Sequence, residues 1–169
     1  MAWPPAFAGV RSRRGDAPGS GHYLTPMSHP ATLPDAADEW ELLDADERYR
    51  LLIDLGRALP SMPPALKTDA TLVRGCSAAV WVYPTRNPNG TLRFLADSNA
   101  AITKGIIALI LLAVQDRSPD EISALDVPAE LEPFQLSAQL SSNRTQGIPN
   151  MIALIRETAA RNATEASAA

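Results

Sequence analysis

The residue in this sequence with the most chemistry to offer is its single cysteine, Cys76. It follows Gly75 and precedes a β-branched and aromatic run over residues 78–83, which places its sulfur in a loop at a sheet edge. A free thiol with a pKa of about 8.5 is only a few per cent thiolate at neutral pH, so a working nucleophile needs a positive neighbour or a conformational release. Arg74 and Arg144 are the candidate positive neighbours. Gly75 takes a side chain out of the approach and allows unusual φ values, which helps a large partner reach the sulfur. The same local pattern also fits an inert, small core residue, the common fate of a lone cysteine beside an apolar strand.

Much other chemistry is excluded. His22 and His29 both fall in the N-terminal leader, so the folded part offers no histidine to pair with the thiol as a general base. One cysteine without histidine cannot supply the ligand sets of zinc sites or cluster scaffolds, so no metal site is expected. A thiol peroxidase is disfavoured because an activating histidine is missing. Asp97, at a strand-to-helix junction, could be a general base but is more simply a helix cap. Asn143-Arg144-Thr145-Gln146-Gly147 reads as a polar surface loop whose arginine could pair with a carboxylate of the same chain or of a partner. Trp40 and Trp81 sit in apolar patterns and read as core residues.

These residues need elements to position them. Residues 1–26 mix prolines, glycines and arginines without helix or strand period and read as disordered; the leader is bounded at 1–33, with Met27 as an alternative start. An export signal is disfavoured, because an acidic, glycine-rich stretch follows Arg13-Arg14 where an apolar region belongs. The folded domain is expected over residues 34–162, followed by a frayed tail at 163–169. Two short helices, or one broken helix, should precede Pro60, with Asp44 and Glu47 forming a cap. Strands are expected at 71–73, 78–83 and 92–96, forming a small antiparallel three-stranded sheet. The Asn89-Gly90 pair between the last two marks a hairpin. A nearly all-apolar helix over 99–115, capped by Asp97 and Ser98, should be central. Ser118-Pro119-Asp120-Glu121 opens a short helix, and residues 149–161 carry another.

Composition bounds the partners. With 169 residues, 46% hydrophobic and 20% charged, the chain fits one globular domain with a real core. A net charge of −4 leaves no basic footprint for nucleic acid. The longest apolar run, residues 106–114, is about half of the ~18 residues a membrane span needs, so no membrane is expected. A lone cysteine cannot form an internal disulfide, which fits a reducing cytoplasm or an organelle matrix.

Four blocks, in order, carry a resemblance. Arg74-Gly75-Cys76-Ser77-Ala78-Ala79-Val80-Trp81-Val82 resembles the sulfur-acceptor loop of the SufE family. Leu52 to Pro60 is similar to that family's Leu-Gly-x-x-Leu-Pro helix end, and Ala96-Asp97-Ser98-Asn99-Ala100-Ala101-Ile102-Thr103-Lys104-Gly105 is similar to its Asp-Ser-Asp-Ala-Ala-Ile segment. Leu140 to Gly147, with Met151 beyond, resembles a fourth. The resemblance implies an α+β, SufE/IscU-like fold of helices over a small sheet. It implies a sulfur carrier, not a free-standing enzyme, with Cys76 accepting persulfide sulfur from a pyridoxal-phosphate cysteine desulfurase (SufS-like). It further implies stimulation of that partner and delivery to an iron–sulfur scaffold complex (SufBCD-like). Arg74, Gly75, Asp97, Asn99 and Arg144 align with positions expected to shape the loop or the desulfurase contact. Asn99 departs from the pattern, standing where the family has an acid, which puts partner affinity or the loop's resting position in question. A regulatory binding module with a structural Cys76 is the alternative, and whether the free protein is a homodimer stays open.

Overall fold

The computed structural model describes residues 29–168. The expected disordered leader lies outside the described residues as far as residue 28, as does Ala169 at the end of the expected tail. Helices α1 (Leu33–Leu42) and α2 (Ala45–Ala58) open the fold, separated by two residues. The break is enforced locally: the Asp44 carboxylate accepts from the Glu47 N–H, and the Glu47 carboxylate accepts from the Asp44 N–H, both at 2.9 Å. This reciprocal capping satisfies two of the donors that a new helix leaves unpaired.

Strands β1 (Val80–Arg86) and β2 (Leu92–Ser98) form an antiparallel hairpin, in register from Val80 opposite Ser98 to Arg86 opposite Leu92. Gly90 supplies the positive φ, +85°, that the connection requires. Val80, Val82, Leu92, Phe94 and Ala96 point inward and are buried. Both edges are managed. Pro84, with no N–H to offer, stands opposite Phe94, and the Phe94 backbone turns outward, donating to and accepting from the Gln115 amide at 2.8 and 2.9 Å. The Gln115 side chain, together with a backbone bridge from Leu92 to Arg117, thus covers the outer edge of β2.

The expected third strand is not formed. Residues 71–73 reach β1 only through an isolated bridge, Leu72 to Trp81, with the Val73 N–H donating to Val80 O and the Val82 N–H to Thr71 O. The sheet among the described residues therefore has two strands. The segment is pinned at both ends: a turn in which Thr71 Oγ1 donates to Leu66 O precedes it, and Gly75, at φ +80°, redirects the chain two residues after it.

Helix α3 (Ala101–Val114) lies beneath the hairpin, packs against β2 and α2, and is buried on nearly all sides. No helix among the described residues is long and apolar enough to cross a membrane. Short helices follow: α4 (Pro119–Ala124), opened as expected at Ser118 and closed there by a Ser118–Glu121 capping box, α5 (Val127–Leu131), α6 (Leu136–Gln139) and α7 (Ser142–Thr145). The last, α8 (Ile148–Ser167), packs on α4 and runs past Arg161, where the apolar stripe ends. Trp40 is buried edge-on against Phe134, centroids 5.4 Å apart, tying α1 to the turn between α5 and α6.

Candidate functional site

Cys76 lies half-buried in the loop before β1, with its sulfur seated on Gly147, the residue that opens α8. Sγ is 3.8 Å from Gly147 O, within the range of a weak S–H···O bond. A side chain on Gly147 would occupy the space that the sulfur fills; its Cβ would also stand 3.1 Å from the Cys76 Cβ. Gly75 is favoured by its φ of +80°, and a Cβ there would also push aside the Asn150 side chain, whose nitrogen would lie 2.5 Å away. The acceptor loop and the start of α8 therefore fit each other through two glycines, one on each side.

Two polar ties hold the loop on either side of the thiol. The Ser77 hydroxyl donates to the Asn143 carbonyl of α7. On the strand side, Asn99 clasps Ala79: its side-chain oxygen accepts from the Ala79 N–H at 3.1 Å, and its backbone N–H donates to Ala79 O at 3.3 Å. Asn99, which stands where the family motif has an acid, thus fixes the base of the loop as a neutral acceptor.

Asp97 does not cap α3, as the pattern suggested; α3 starts at Ala101, and Ser98 Oγ accepts from the Ala100 N–H instead. The Asp97 carboxylate binds Lys67 Nζ at 2.6 Å, Lys104 Nζ at 3.1 Å and the Ser98 N–H at 2.8 Å. Partial burial pushes its pKa up, but the two ammonium groups and the N–H outweigh this and hold the carboxyl below the usual carboxylate range. A carboxylate held ionised by two lysines is a poor general base, so its part is to join β2 to α3 and to the turn over Pro64–Leu66 that ends at Lys67. Trp81 is only half-buried, not a core residue, and carries Lys67 over its ring at 5.4 Å.

Neither arginine lowers the pKa of the resting thiol. Arg74 is exposed. Arg144 belongs to α7, not to an irregular loop, and pairs with no carboxylate among the described residues: its Nη1 donates to the Tyr49 hydroxyl at 3.2 Å, and its guanidinium lies 5.7 Å from the centre of that ring. Burial alone pushes the Cys76 pKa above its ordinary value. Of the two routes to reactivity, a positive neighbour or a release of the loop, the resting geometry does not supply the first. Tyr49, Asn150 and Lys67 were not legible as site residues, because their partners lie tens of residues away along the chain. Only Ser77, Lys104 and Gly147 lay inside recognisable motifs.

This seating has a measurable consequence. Alkylation proceeds through the thiolate, so the iodoacetamide rate of Cys76 is expected to rise with pH about a midpoint above that of free cysteine. Gly147→Ala should expel the sulfur toward water, lower that midpoint toward the free value and speed labelling at neutral pH. Rates measured across the pH range for both proteins decide it. Superimposable profiles would mean that the seat on Gly147 does not bury the thiol.

Comparison with known proteins identifies the family. Residues 35–159 match the family model "SufE: Fe-S metabolism associated domain". The chain is 37% identical over 110 residues to the sulfur acceptor protein CsdE of Escherichia coli (strain K12), covering 65% of this chain and 71% of that protein. Its fold is similar to the solution structure of a hypothetical protein from Thermus thermophilus, with a TM-score of 0.64 at 17% identity, over 81% of this chain and 99% of that one. With most of its described residues inside the family model, this chain belongs to the SufE family of Fe–S metabolism-associated domains.

Proposed function

We propose that this protein is a sulfur acceptor and carrier that takes persulfide sulfur onto Cys76 from a pyridoxal-phosphate-dependent, SufS-like cysteine desulfurase. The observation that carries the reading is a lone thiol held half-buried on Gly147 by a loop with only slender polar ties. A resting thiol with a raised pKa is protected from stray oxidation, and a loop that can lift presents it when a donor docks.

In the reaction, the Cys76 thiolate attacks the outer sulfur of the donor's persulfide. A new S–S bond forms at Cys76 as the donor's S–S bond breaks; the donor cysteine leaves as a thiolate and takes up the proton, so no external oxidant or reductant is consumed. Clearing the donor this way stimulates the desulfurase, and the Cys76 persulfide is then passed to a SufBCD-like iron–sulfur scaffold complex. Gly75, Ser77 and Asn99 set the loop's resting shape, while Arg74 and Arg144 stand exposed at the face a partner would meet. The domain runs from α1 through α8, slightly beyond the expected 34–162 at both ends, with a reducing cytoplasm or organelle matrix as its compartment.

The test is mass spectrometry of this protein after incubation with desulfurase and cysteine. One added sulfur atom, reducible and located on Cys76, is the expected adduct. The half-burial of the thiol also suits a second reading, a regulatory module that binds the desulfurase or scaffold through its surface; an unmodified Cys76 alongside retained partner binding would favour it.

A further inference from the structure

Helix α7 is an unusual foundation for a reactive loop. It comprises four residues, Ser142–Thr145, and buries none of them. Its capping position, Ser141, makes no side-chain cap bond. Apolar packing therefore does not hold α7; it is anchored along the chain at buried Leu140 and Gly147 and sideways by two polar contacts. One is the bond from Ser77 to the Asn143 carbonyl, immediately beside the thiol. The other is Arg144 on Tyr49.

Tyr49 belongs to a different kind of element. It sits on α2, whose Leu51, Leu52 and Leu55 are buried in the core and which packs directly on α3. It is 38% exposed, one of two large hydrophobic side chains on the described surface, so burial alone does not explain its place there. Its hydroxyl accepts from Arg144 while its ring lies under the guanidinium, two contacts of different physical origin made by one side chain. A rigid helix thereby grips the one segment that carries both Asn143, which holds Ser77, and, two residues past its end, Gly147, on which the Cys76 sulfur rests.

We propose that Tyr49 is a positioning residue of the sulfur-transfer reaction: with Arg144 it forms a latch that holds α7 against the acceptor loop and sets how readily Cys76 leaves its seat. A partner that draws Arg144 to itself, for example onto a carboxylate, would unlatch α7 and free the thiol in the same motion. The inference builds on the acceptor reading of Cys76, yet its test needs no desulfurase, so the two can fail separately.

The test is the iodoacetamide labelling rate of Cys76 in the full chain at one pH, for Tyr49→Ala, Arg144→Ala and the double variant, with melting temperatures taken in parallel. Each single change is expected to raise the rate about three- to tenfold, matching the loss of one exposed cation–π and charged hydrogen-bond contact. The double variant should be no faster than the faster single one, because both remove the same latch. Tyr49→Phe keeps the ring and loses only the hydroxyl, so it should fall between wild type and Tyr49→Ala. A wild-type rate in Tyr49→Ala, or effects that multiply in the double variant, overturns the latch. Should an alanine variant fail to fold, Tyr49→Phe with Arg144→Lys repeats the comparison under the same criteria.

Discussion

Cys76→Ser is expected to leave a partner desulfurase at its unstimulated turnover rate and to accumulate no sulfur. The physical basis is sharp. A serine hydroxyl is not deprotonated in neutral water and its oxygen cannot hold a sulfane sulfur in exchange with thiols, so the step has no substitute nucleophile. The chain contains no second cysteine that could take over. Serine is also nearly the same size as cysteine, so the contact with Gly147, 3.8 Å from the sulfur to the carbonyl oxygen, has a hydroxyl counterpart. The stability cost at a half-buried site should stay near ~1 kcal/mol. Function and fold are thereby separated: cysteine turnover by the desulfurase should show complete loss of stimulation while the melting temperature moves by a few degrees. Equal stimulation by wild type and Cys76→Ser would dismiss the carrier and leave the binding module.

Gly105→Ala should be the most damaging small change to the fold. Helices α2 and α3 cross with their backbones nearly touching: a Cβ on Gly105 would overlap the Leu52 carbonyl and come within 2.6 Å of its carbon, and one on Gly56 would stand 2.8 Å from the Gly105 nitrogen. Two effects oppose each other. Alanine is the better helix former by about 1 kcal/mol, whereas overpacking a core costs about 1–3 kcal/mol and more when the obstacle is backbone that cannot rotate aside. The clash should win because α3 is buried on nearly all sides, so it cannot yield without disturbing the hairpin. A net loss of about 3 kcal/mol, or on the order of 10 °C in melting temperature, is expected. By contrast, Gly90→Ala meets open space and suffers only from its φ of +85°, at about 1 kcal/mol. Thermal unfolding of both variants checks the ranking, and a Gly105→Ala protein as stable as wild type would mean that the helices have room to part.

The crossing also gives two of the four sequence blocks a physical meaning. Leu52 to Pro60 contributes Gly56, and Ala96 to Gly105 contributes the glycine it meets, so the motifs mark where α2 and α3 come closest. The other two blocks meet at the thiol, where Cys76 rests on Gly147 and Ser77 bonds to Asn143. The order of the motifs was visible along the chain; the pairing of the first with the third, and of the second with the fourth, was not.

What the sequence determined by itself is whatever neighbours a few residues apart decide. The break between α1 and α2 at Asp44, the capped start of α4 at Ser118, the hairpin at Gly90 and the apolar α3 all follow from contacts within one turn, where chain connectivity holds the partners together. It also singled out Cys76, because no other residue offers that chemistry. Tertiary structure alone decided the rest: that residues 71–73 stop at one bridge, that Asp97 is held by two lysines instead of capping a helix, that Gln115 closes the β2 edge and that Arg144 finds Tyr49. Each depends on side chains brought together from distant positions. Local spacing cannot specify such meetings, because the free energy that selects them comes from packing the whole core around α3.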